Sequence, residues 1–189
     1  MKFTKYIILI FIIPIYSQFG KNIVQYKSFD WYYIQSKYFD VYFYDSNKGS
    51  EDSSELLVNS NAEFVANESL KAYDIISNAI GWKLKNRVPI IVYNSHNDFQ
   101  QTNIIDMYMP EGVGGVTELY KNRVVIPYDG NHTQFKNVLH HELVHAFIND
   151  YIYKGSIQNM QNEDVILIPL WMNEGLAEFL SSPWNTESD

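Results

Sequence analysis

The stretch Leu139 to Phe147, LHHELVHAF, decides the fold of this chain, because it carries His141 and His145 four residues apart with Glu142 between them. On an α-helix, residues at this spacing lie on one face, about 6 Å apart along the axis. Two imidazoles so placed can bind one metal ion at about 2.0–2.1 Å each. The carboxylate of Glu142 can lie beside that ion without binding it, where a base can take a proton from a metal-bound water. The segment therefore predicts a helix that holds a metal site.

The other histidines are weaker candidates for this site. His140 points about 100° away from its neighbour on a helix, which indicates a supporting or structural role. His96 and His132 have no partner at ligand spacing and fit ordinary loop or capping positions. The alternative for His141 and His145 is that they are core or capping residues. The apolar residues around them predict a helix buried on most sides, where a glutamate is costly without a partner.

A third ligand has to come from further along the chain. Zinc in a hydrolytic site takes three protein ligands and keeps one position open. The chain has no cysteine, and His145 is its last histidine, so the third ligand must be a carboxylate. The segment Pro169 to Leu180, PLWMNEGLAEFL, offers Glu174 and Glu178 on one helix face.

We expect Glu174 to bind the metal and Glu178 to accept the second N–H of a ligand imidazole. The reverse assignment stays open, because both acids share the face. A second alternative is an exposed helix with two solvated acids. The apolar residues that flank these glutamates predict burial instead.

The rest of the chain reads as strands followed by helices, which predicts an α+β domain. Strands are predicted at 37–44, 87–93, 122–127 and near the end of 111–118, with Pro89 indicating an edge or unpaired strand start. Helices are predicted from Asp52 or Ser53 to Gly81, after Ser95, over 133–148 and from Pro169 to about 181. Lys121 and Asn122 allow a hairpin turn.

The N-terminus reads as a secretory signal peptide over residues 1–17, with Lys2 and Lys5 before an apolar run and Ser17 at its end. The alternative is an uncleaved anchor. This predicts export to the periplasm, the cell envelope or the medium. Removal of the two lysines takes the net charge from −8 to −10, and an acidic chain argues against nucleic-acid binding. Residues 18–36 form a lead-in with a possible short strand, and 37–189 form the domain.

The pair HELVH (141–145) and WMNEGLAE (171–178) resembles the gluzincin metallopeptidases, and most closely the bacterial peptidase MA-like domain that precedes TolB-like β-propeller repeats. Stretches YNSHNDFQQTN, GVGGVTE and NRVVIP are also similar to that domain. The resemblance implies a zincin-like fold, with a small mixed sheet packed on the HExxH helix. It implies one Zn²⁺ on His141, His145 and Glu174, with Glu142 as general base for hydrolysis of a peptide or protein substrate.

The resemblance also implies a further C-terminal part, such as a propeller, so that 37–189 would be a truncated domain. It places Gly114, Gly115 and Val116 on an edge strand that pairs with the substrate backbone. The alternative for the glycines is a simple turn. A catalytically silent zinc-binding or adaptor domain of an envelope protein is the main alternative function, and a purely structural role without metal is another. The residue that would stabilise the oxyanion stays open among four tyrosines, Tyr120, Tyr128, Tyr151 and Tyr153.

Overall fold

The computed structural model describes residues 27–44, 60–104, 112–153 and 168–181. Within these ranges the chain forms five strands and four helices, which confirms the α+β class. The elements are β1 Trp31–Gln35, β2 Phe39–Tyr44, α1 Ser60–Ile80, β3 Val88–Tyr93, α2 His96–Phe99, β4 Val116–Glu118, β5 Arg123–Pro127, α3 His132–Tyr153 and α4 Leu170–Ser181. The predicted signal peptide and the predicted start of the first long helix lie outside these ranges. None of the helices described is long and apolar enough to cross a membrane.

The five strands form one small mixed sheet, as the resemblance implied, in the order β1-β2-β3-β5-β4. β1 pairs antiparallel with β2, the strands β2, β3 and β5 are parallel, and β4 pairs antiparallel with β5. β1 lies within the predicted lead-in, so the predicted domain boundary at residue 37 falls inside the sheet. β4 lies at one edge of the sheet, next to the strand that leads into α3.

The two faces of the sheet are covered differently. Phe39, Val41 and Phe43 alternate along β2 and join the core formed with α1 and α3. Tyr44 and Tyr93 point to the opposite face and belong to a second, smaller apolar cluster. Since successive side chains of a strand point to opposite faces, this alternation fixes which face the helices cover.

The second cluster is joined to the start of the described chain through Asp98, a buried carboxylate on α2. The hydroxyl of Tyr44 donates to Asp98 Oδ2 at 2.8 Å, and Lys27 Nζ lies 3.0 Å from Oδ1. Burial raises the pKa of Asp98, but the hydroxyl of Tyr44 and the ammonium of Lys27 lower it more. The net pKa therefore lies below its usual value.

The position of Pro89 decides between the two predicted alternatives, because β3 is a central strand, but its start is unpaired on one side. Val88 donates its N–H to Tyr38 O on the β2 side. Strand alternation therefore turns the Pro89 nitrogen toward β5, where pairing begins only at Ile90 and Val124. The missing N–H costs no ladder bond at this position.

The predicted end of α1, the predicted cap of α2 and the predicted β4–β5 turn are confirmed. Gly81 adopts φ +71° directly after α1, a conformation that favours glycine. The Ser95 side chain accepts the N–H of Asp98 and caps α2. The β4–β5 turn places Asn122 at φ 50°, and asparagine tolerates that region better than most residues.

The helix that carries the HExxH motif is longer than predicted. It starts after Asn131, whose side-chain oxygen accepts the N–H groups of Thr133 and Gln134. It continues past residue 148 to Tyr153. Asp150, beyond the predicted end, is buried and accepts hydrogen bonds from Trp82 Nε1 and the Lys85 N–H. Tertiary partners therefore extend the helix.

The expectation that α4 is buried is wrong for most of its surface. Leu170, Trp171 and Phe179 are 73%, 76% and 55% exposed in the described part of the chain. Only Ala177 and Ser181 of this helix are buried. The contact with the core is made by Ala177 together with the partly buried side chains of Leu176 and Leu180.

Candidate metal centre

Three side chains from two helices converge at one point above α3. His141 Nε2 and His145 Nε2 lie 3.1 Å apart. Glu174 Oε2 from α4 lies 3.3 Å from the first nitrogen and 3.6 Å from the second. All three offer a ligand atom to a common site, and the structure therefore brings together the predicted set.

The three distances fit a tetrahedral metal ion. Bonds of about 2.0–2.1 Å at tetrahedral angles place neighbouring ligand atoms about 3.4 Å apart. The separations of 3.1, 3.3 and 3.6 Å bracket that value and correspond to angles of about 98° to 123° at such an ion. Two ring nitrogens and one carboxylate oxygen are also donors that zinc accepts. The residues present therefore fit a zinc ion.

The burial of His145 favours its role as a neutral ligand. Burial lowers its pKa and His141 lowers it further, against the effect of the Glu174 carboxylate, which raises it. The net pKa lies below the usual value. A metal binds the neutral imidazole, so this shift reduces competition from protons.

Each ligand ring has a second group near its other nitrogen. Glu178 Oε2 lies 3.7 Å from His141 Nδ1, on the side of the ring away from Glu174. His145 Nδ1 is buried without a hydrogen bond, as is Asn173 Oδ1, and the Asn173 side chain raises the pKa of His145. A ring N–H and an amide oxygen are complementary. Asn173 was missed in the sequence, where its place directly before Glu174 was the available signal.

Glu142 lies beside the three ligands and not among them. It is buried, and the Thr117 hydroxyl donates to its Oε2 at 2.6 Å. Burial raises the pKa of Glu142. Thr117 and His141 lower it and Glu174 raises it, and the net pKa lies above the usual value. A carboxylate with a raised pKa is suited to exchange protons near neutral pH. Thr117 was also missed, because nothing in the sequence pairs β4 with this acid.

The predicted edge-strand residues line the same cleft, which has a volume of about 680 Å³. Val116 is the first residue of the edge strand β4, whereas Gly114 and Gly115 precede the strand. A Cβ on Gly115 would meet Val138 Cγ1 at 2.9 Å and Glu142 Cγ at 3.0 Å. Gly115 is therefore required for close packing over Glu142, and it is not a simple turn residue.

The remaining candidates lie away from the centre. His140 faces α1, with its Nε2 3.8 Å from Glu68 Oε2, and His132 contacts Tyr128. His96 packs on Phe99. None of the four candidate tyrosines is among the described residues that line the cleft. The described residues that surround the centre therefore assign no tyrosine to the oxyanion.

Comparisons with known protein families, with curated proteins and with solved structures found no match.

Proposed function

We propose that this chain is a zinc-dependent peptidase of the gluzincin type, with a zincin-like fold. The observation that carries the proposal is the group of His141, His145 and Glu174 with ligand spacing, beside the buried carboxylate of Glu142. Three ligands leave one position open, as catalytic zinc sites require. The mixed sheet, with β4 at its edge beside the HExxH helix, supports the proposed fold.

In the proposed reaction, separate residues bind the metal, transfer the proton and position the base. His141, His145 and Glu174 hold the metal, and bound zinc would polarise the scissile carbonyl and acidify water. Glu142 accepts a proton from the attacking water and delivers it to the leaving amine. Thr117 holds Glu142 Oε2 through its hydroxyl and so fixes the carboxylate in the cleft. Burial of Glu142 supports this exchange, because its raised pKa makes it a better base and allows it to carry the proton.

The substrate in this proposal is a peptide or protein that lies in the cleft beside β4. The unpaired side of an edge strand can bind an extended backbone by strand addition. Export by the N-terminal segment and a C-terminal propeller in a longer protein belong to the same proposal.

Replacement of Glu142 by Gln tests the activity directly. The wild-type chain loaded with zinc should bind about one ion per chain and cut a mixed peptide library. Glu142→Gln should keep the ion and lose about 10²- to 10⁴-fold in rate. Glu63→Gln, at an exposed position on α1, is the matched control and should behave as wild type.

Two results would contradict the proposal. Zinc binding without hydrolysis by the wild type would favour the silent binding or adaptor domain. A chain that binds no zinc by elemental analysis would favour a purely structural role.

A further inference from the structure

A polar row runs along α3 through the two ligand histidines. Asn137, His141, His145 and Asn149 follow one another at four-residue spacing, and all four line the metal cleft. Side chains four apart on a helix lie one above another. The rest of the buried face of α3 is mostly apolar, so this row is the polar floor of the cleft.

The two asparagines flank the metal ligands on opposite sides. Each lies about 6 Å along the helix axis from the nearer histidine, and about 18 Å separates the two asparagines. An extended peptide advances about 3.3 Å per residue. A segment of about five or six residues therefore spans the distance from one asparagine to the other, with the metal position near its middle.

Both carboxamides keep polar groups that can bind a peptide backbone. The Asn137 side chain is exposed and makes no hydrogen bond with the other described residues. Asn149 Nδ2 donates to Asn122 Oδ1 at 3.4 Å, and Asn122 in turn donates to Ala146 O at 3.0 Å. This arrangement leaves the Asn149 oxygen to accept an N–H from the cleft. Both side chains are neutral, and each carboxamide offers N–H donors and a carbonyl acceptor that match the C=O and N–H groups of a peptide backbone.

We propose that the cleft binds an extended peptide segment across the metal position, with Asn137 and Asn149 holding its backbone on either side, so that the bond cut is internal. This inference depends on the proposed peptidase function and specifies its substrate class. It predicts that free chain termini are not needed for cleavage. It also predicts that each asparagine matters only for substrates long enough to reach it.

The experiment uses the zinc-loaded chain and two sets of 12-residue peptides of mixed sequence. One set has acetylated and amidated ends, and the other has free ends. Mass spectrometry should find the same internal cuts in both sets, at least two residues from either end. Asn137→Ala and Asn149→Ala should each lower kcat/KM about 2- to 10-fold, mainly through KM, as expected for one lost hydrogen bond.

Four controls make the result specific. The same variants should cut a blocked dipeptide, which spans only the scissile bond, at the wild-type rate. Asn97→Ala changes an exposed asparagine on α2 and should match wild type with every substrate. Asn149→Asp keeps the accepting oxygen and should lose less than Asn149→Ala. Zinc content should be equal in all variants, because neither asparagine binds the ion.

Several outcomes would overturn the inference while leaving the peptidase function in place. These are cleavage only at free ends, an effect of neither asparagine, or an effect of one and not the other. If the zinc-loaded wild type cuts no peptide, the proposed function itself fails and the inference fails with it.

Discussion

Replacement of Glu174 by Ala should weaken zinc binding far more than replacement of Glu178 by Ala. The Glu174 oxygen lies 3.3 and 3.6 Å from the two ligand nitrogens, at ligand spacing, whereas the Glu178 oxygen lies 3.7 Å from the outer nitrogen of His141. Both positions are on an exposed part of α4, with side chains 51% and 75% exposed. Alanine is the best helix former, so neither change should unfold the chain.

The size of each effect follows from these positions. Structural zinc sites with four ligands bind with about 10–16 kcal/mol, or about 2.5–4 kcal/mol per ligand. Loss of Glu174 should therefore raise the zinc Kd roughly 10²- to 10³-fold. Loss of a hydrogen-bond partner of a ligand histidine typically weakens metal affinity about 10- to 100-fold. Because Glu178 is largely solvated, we expect Glu178→Ala to raise the zinc Kd only about 10-fold.

The assay is a competition titration of zinc against a coloured chelator, with Glu63→Ala on α1 as the matched control. Equal losses for the two α4 variants would refute the assignment of Glu174 as the third ligand. A larger loss for Glu178→Ala would reverse the two roles.

Three further predictions concern other parts of the molecule. Gly115→Ala should lower kcat for peptide cleavage with zinc still bound, because its methyl group would displace Glu142. Gly112→Ala is the control, because its methyl group meets nothing within 4 Å, and it should cleave peptides at the wild-type rate. Asn173→Ala should weaken zinc binding about 10- to 100-fold in the chelator titration, because it leaves a ligand imidazole without its acceptor; an unchanged Kd would rule out that contact. The pKa of Asp98 is lowered in the folded chain, so its stabilisation is present above the unfolded value of about 3.9 and is lost as pH falls through the folded value. Urea titrations between pH 6 and pH 2 should therefore show a destabilisation of Asp98→Asn that shrinks on acidification; a destabilisation that stays constant over this range would contradict the reasoning.

The sequence alone determined the parts that depend on local chain geometry. The four-residue spacing of His141 and His145 fixes both rings on one face of any helix, whatever packs around it. Gly81 ends α1 and Ser95 caps α2 because backbone conformation and capping are decided within a few residues. The α+β class followed from strand and helix periodicities in the same way.

Only the tertiary structure decided which groups meet across the chain. The sequence favoured Glu174 over Glu178 as ligand but left the reverse assignment open, and the packing of α4 on α3 brought the oxygen of Glu174 to the ligand nitrogens. Thr117 reached Glu142 only through the position of β4 at the sheet edge. The central position of β3 could not be predicted from the sequence either. The same holds for the contacts of the buried Asp150, beyond the predicted end of α3. The physical reason is that helical periodicity acts over a few residues, whereas a contact between distant segments depends on how the whole core packs.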